Sequence, residues 1–181
     1  MSGTGGTGGF GKGIDTAQAR IKWDPAPLGA TPHDLDLIVA VHATGDPHGA
    51  PVQLVHFGRR STDGTVSLDR DSRTGKGLGW DEVMTLELSR MPDASGRVVI
   101  GAAIQQPDGT AVRFADVANP RAQITAGYDV LAEQDFTTVA GSTAATVGEF
   151  VRDAAGLWTF RPFVRGFDTD AVTFARTMGT V

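Results

Sequence analysis

Residues 69–82 read Asp-Arg-Asp-Ser-Arg-Thr-Gly-Lys-Gly-Leu-Gly-Trp-Asp-Glu, a segment with four carboxylates and three glycines. Asp71 and Glu82 are spaced like positions 1 and 12 of a helix–loop–helix calcium site. Arg73 and Gly75 then fall at positions 3 and 5, which should supply side-chain oxygens. No helical period flanks the segment either, so that motif is rejected. The flanks read as strands: Thr65 to Leu68 alternates before it and Val83 to Leu88 after it.

Working outward, the same pattern recurs. Ile21-Lys22-Trp23 alternates, Leu35 to His42 and Val52 to Phe57 are apolar runs, and Arg97 to Ile104 reads as a central buried strand. Val112 to Val117, Ala122 to Thr125 and Tyr128 to Phe136 continue it, and Trp158, Phe160 and Phe163 suggest a late strand with aromatic core positions. Asp-Gly at 63–64 and 108–109 and Pro-Asp at 92–93 are turn signals. Asp168 to Thr177 predicts one short C-terminal helix, capped by Asp168 or Thr169. Many short strands and one helix predict an all-β, two-sheet sandwich over residues 14–181. Residues 1–13 are Gly/Thr-rich and read as a flexible tail.

Composition agrees. Asp outnumbers Glu by 17 to 4, and Asp favours turns and metal loops while Glu favours helix surfaces. The net charge of -5 argues against a nucleic-acid binder. Cysteine is absent, which excludes disulfides and thiolate chemistry. The sequence shows no signal peptide and no span of about 18 apolar residues, so a cytoplasmic protein without a membrane span is expected.

Asp34 and Asp36 form a second acidic segment, and residues two apart in a strand share a face. Carboxylates brought close together repel unless a cation sits among them or a pKa rises. With no sulfur or imidazole in the loop, a hard oxygen-seeking ion such as calcium suits it better than zinc or copper. Taken alone, these acids could equally cap turns and solvate a loop. The neighbouring Arg59, Arg60, Arg70 and Arg73 either balance this charge or offer a contact for an acidic partner.

Other chemistry finds little support. His33, His42, His48 and His56 show no metal-ligand spacing. No Gly-x-Ser-x-Gly elbow is present. Thr74-Gly75-Lys76-Gly77 fails the phosphate-loop spacing, because Arg70 and Gly77 occupy the positions of its glycine and its hydroxyl.

The middle of the chain resembles the TerD family. The carrying residues are Asp34-Leu35-Asp36-Leu37, then Ser61-Thr62-Asp63-Gly64-Thr65-Val66, then Asp71 to Glu82. Lys12-Gly13, Trp23-Asp24, Phe114 to Val117, Gly148 to Arg152 and Trp158-Thr159-Phe160 fit as flanking features, and the resemblance spans residues 12–178. It implies a β-sandwich that binds calcium through its acidic loops and belongs to bacterial tellurite-resistance and stress-response systems. It also implies a scaffold or adaptor with protein partners rather than an enzyme. Two departures stand out: the family's Gly-Asp-Asn is Arg70-Asp71-Ser72, and its Gly-Asp-Asp-Glu is Gly79-Trp80-Asp81-Glu82. The expected ligands of a single calcium ion are therefore Asp34, Asp36, Asp71, Ser72, Asp81 and Glu82. The alternative is a metal-free, self-associating structural subunit that has lost the site.

Overall fold

The computed structural model describes residues 12–71 and 74–181. The strands are β1 (Ala17–Lys22), β2 (Leu35–Ala43), β3 (Gln53–Val55), β4 (Val66–Arg70), β5 (Glu82–Leu86), β6 (Ser95–Ile104), β7 (Arg121–Ala126), β8 (Asp129–Gln134), β9 (Ala144–Arg152), β10 (Trp158–Pro162) and β11 (Gly166–Phe167), followed by the helix α1 (Ala171–Thr177). They form two antiparallel sheets, in the orders β4-β5-β1-β7-β8 and β10-β9-β6-β2-β3, with β11 also paired to β9. This is the anticipated sandwich.

The two sheets bury their residues differently. On β1, Ala17, Ala19 and Ile21 are buried while Gln18, Arg20 and Lys22 are only half-buried, as expected of a sheet with one wet face. β6 is buried at every position and β2 at all but its last. The inner face of β2 supplies Leu35, Leu37, Val39 and Val41 to the inter-sheet core. Its outer face supplies Ile38 and Ala40 to a second cluster beneath Phe174, Ala175 and Met178. β2 and β6 are thus covered on both sides, which is why they read as apolar runs. The helix lies so close that a Cβ on Gly101 would sit 2.6 Å from the Phe174 ring.

Two expectations are corrected and one strand is added. Val112 to Val117 is not a strand: Phe114–Asp116 is a 3-10 turn, closed by the Arg113 amide donating to Asp116 Oδ2 at 2.8 Å. Phe114 stacks on Phe136 there, with ring centroids 4.3 Å apart. The strand β9, between β10 and β6, has no counterpart among the strands read from the sequence. The helix starts later than expected, because Asp170 caps it by accepting from the Thr173 amide at 2.8 Å. Asp168 instead pairs with Arg113 at 2.8 Å. Apart from Lys12 and Gly13, the Gly/Thr-rich segment lies outside the described residues. No described helix is long and apolar enough to cross a membrane.

Candidate metal centre

Asp36, Asp71 and Glu82 each offer a carboxylate oxygen, and these oxygens lie within 4.8 Å of one another. The three come from different elements: Asp36 from β2, Asp71 from just past β4, and Glu82 from the start of β5. Asp36 and Glu82 are buried, and Asp71 is exposed. The cluster therefore joins the two sheets and opens to solvent on the Asp71 side.

Local geometry explains how Glu82 arrives. β5 buries Glu82, Met84 and Leu86 on one face, so the Glu82 side chain enters the sandwich. β3 pairs only with Val39–Val41 of β2, so the Leu37 amide has no strand partner on that side. Glu82 Oε2 takes the Leu37 amide at 2.6 Å. Its other oxygen, Oε1, is buried with no hydrogen-bond donor among the described residues. Burial and the negative charges of Asp36 and Asp71 push the Glu82 carboxyl up to about 10, against the opposing pull of the Leu37 amide. At neutral pH the group needs either its own proton or a cation among the three acids.

The donor set suits calcium. With Ca–O distances of about 2.3–2.6 Å, oxygens on opposite sides of one ion stand up to about 5 Å apart. The 4.8 Å envelope lies inside that limit, and every donor is a hard oxygen. Gln105 Nε2 donates to Asp36 Oδ2, which fixes that carboxylate from the end of β6.

The remaining expected ligands are placed differently. Asp81 is outside the group of three. Its Oδ2 accepts from the Trp23 amide at 2.9 Å, and its own amide donates to Ile21 O at 2.9 Å, so it ties the glycine loop to the end of β1. Burial raises its pKa, while the Trp23 amide and the Arg70 charge lower it. Asp34 is half-buried just before β2, also outside the group, and its carbonyl accepts from the Gln105 amide at 2.8 Å. Ser72 and Arg73 lie outside the described residues. His42 is a core histidine, with Nδ1 3.0 Å from Gly49 O.

Two supporting residues were not singled out as such from the sequence. Gln105 carries no signal beyond its place at a strand end. Trp23 is the hub of the loop: it also donates through Nε1 to His33 O at 3.0 Å, next to Asp34. Gly75 rests on it with φ +71°, and a Cβ there would fall 2.6 Å from Trp23 Nε1.

Comparison with known proteins agrees with this architecture. The TerD domain profile matches residues 10–177. Proteins named tellurium resistance protein TerD from Alcaligenes sp and Serratia marcescens are each 26% identical over 151 residues, covering 81% of this chain and 78% of theirs. A crystal structure of SAV2460, of unknown function, superposes with a TM-score of 0.91 at 54% identity, covering 94% of this chain and 99% of that one. SCO6318 from Streptomyces coelicolor A3(2), described as a homologue of the telluride resistance protein TerD, gives 0.89 at 48% identity, covering 92% and 98%. With its two-sheet fold and a profile match along nearly its whole length, this chain belongs to the TerD domain family.

Proposed function

We propose that the chain is a cytoplasmic, non-catalytic calcium-binding module that serves protein partners in a bacterial tellurite- or stress-response system. The observation that carries this reading is the convergence of Asp36, Asp71 and Glu82 within 4.8 Å, two of them buried. Asp34, Ser72 or loop carbonyls complete the shell. The two TerD relatives carry a resistance name and not a reaction name.

Calcium replaces the proton that Glu82 otherwise needs and joins β2 of one sheet to the β4–β5 connection of the other. The connection between Asp71 and Glu82 then has one preferred arrangement, and its exposed surface, including Leu78, becomes dependent on calcium. Calorimetric titration of metal-free protein with calcium tests this. Saturable binding with a matching rise in melting temperature is expected. A folded protein with no response at millimolar calcium leaves only the structural-subunit reading, in which Glu82 keeps its proton.

A further inference from the structure

At the far end of β2 from Asp36, the face covered by α1 holds a buried histidine. His42 follows Ile38 and Ala40 on that face and stands directly across from Arg97 of β6. It is 0% exposed. Its Nδ1 lies 3.0 Å from Gly49 O, which makes Nδ1 the protonated nitrogen of a neutral ring. Nε2 then carries a lone pair, and it is buried with no hydrogen-bond partner among the described residues. Gly179, two residues past α1, packs so closely on this nitrogen that a Cβ there would collide with it. Arg97 holds the same glycine: Nη1 donates to Gly179 O at 2.5 Å and to Pro47 O at 3.0 Å, while Nε pairs with Glu149 Oε2 at 2.7 Å.

A second proton on His42 is costly while Gly179 is in place. It would put a buried N–H where no acceptor stands, and a positive charge across the strands from buried Arg97. The charged groups around the ring are Arg97 on β6, Glu149 on β9, Asp46 and His48 between β2 and β3, and Arg176 in the last turn of α1. Glu149 is already shared between Arg97 and Arg161, the latter at 3.5 Å. Burial, with the charges of Arg97 and His48, holds His42 below the usual histidine range, against the pull of the Gly49 carbonyl and Asp46. The seven residues of α1 are too few to form a stable helix unaided. The segment is therefore held by its contacts: Phe174, Ala175 and Met178 in the apolar cluster, and Gly179 on His42 and Arg97.

We propose that mild acid releases the segment from α1 to Gly179 from sheet two, with His42 as the group that takes up a proton only once the segment has lifted. Release uncovers the apolar side chains of Ile38, Ala40, Val99 and Ala103. Docking is at full strength above the ordinary histidine value of 6.5 and weakens as pH falls toward the lower docked value. One proton is taken up per release, so the equilibrium shifts by at most about tenfold per pH unit. The Asp170 cap is lost only in stronger acid, because Thr173 holds that carboxyl below its usual range. The switch does not depend on the carboxylate cluster.

The test is hydrogen exchange of the full chain at pH 7.5 and pH 5.5, corrected for the pH dependence of the intrinsic rate. The amides of Phe174, Met178 and Thr180, each bonded within the segment, are the reporters. Their protection is expected to fall roughly three- to tenfold on acidification, while that of β6 and β9 does not follow. His42→Asn, whose side-chain amide still donates to Gly49 O, is expected to fold and to lose this pH dependence. If that variant does not fold, nitrogen-15 spectra of the wild-type histidines decide. His42 is then expected as the Nδ1–H tautomer at pH 7.5, gaining its second proton only as the segment loses protection. Equal protection at both pH values in wild type, the same loss in His42→Asn, or a doubly protonated His42 beneath a still-protected segment overturns the proposal.

Discussion

Glu82 Oε2 accepts the Leu37 amide at 2.6 Å, so a carboxylate rooted in one sheet is fastened to the backbone of the other. The same carboxylate comes within 4.8 Å of those of Asp36 and Asp71. That pairing makes Glu82 the most informative residue to change.

The metal-free protein should lose stability as pH rises. The Glu82 carboxyl titrates from 4.5 when unfolded and is held up to about 10 when folded. Between those values the folded state binds the extra proton, so stability falls with increasing pH. The slope for one such group is at most about 1.4 kcal/mol per pH unit. Glu82→Gln should flatten the trend and remove the calcium response. Melting curves from pH 5 to pH 8, with and without calcium, check both.

Calcium binding should release protons. An ion between Asp36, Asp71 and Glu82 displaces the proton on Glu82, so about one proton leaves per ion near neutral pH. Calorimetry in two buffers of different ionisation enthalpy reads this directly. Equal apparent enthalpies would show that the cluster binds without proton exchange.

Gly75→Ala should weaken calcium binding without altering any carboxylate. The new Cβ meets Trp23 at 2.6 Å and the residue keeps φ +71°, so the loop must move or bear strain of roughly 1–3 kcal/mol. A lower melting temperature with weaker binding is expected. Unchanged affinity would remove the loop from the site.

Asp170→Ala provides a contrast. Removing the cap of α1 should cost about 1 kcal/mol and lower the melting temperature. The Thr173 amide and hydroxyl hold the Asp170 carboxyl below its usual range, so this contribution is present at neutral pH and lost as pH falls. The calcium response should be unaffected.

How much of this could be read in the sequence follows the physics of each element. β1, β5 and β6 were legible because their burial is either strictly alternating or complete. β9 was missed because Ala144, Ala145 and Thr146 carry little apolar signal, and burial on both faces erases the alternation. Val112 to Val117 misled because a buried Phe114 and Val117 suit a 3-10 turn as well as a strand. Within the acidic loop, strand geometry sends neighbours to opposite sides: Asp81 reaches the Trp23 amide while Glu82 reaches the cluster. Nothing in the sequence could reveal that a main-chain amide at Leu37 would receive Glu82, because that contact depends on where β3 stops.

The shortness of β3 has a further consequence. Leu37, Asp36 and Glu82 are all buried, so the amide that β3 leaves unpaired faces the interior and not solvent. A substitution that takes the Glu82 carboxylate away strands that donor inside the sandwich, at a cost of about 1–3 kcal/mol on top of any loss of ion binding.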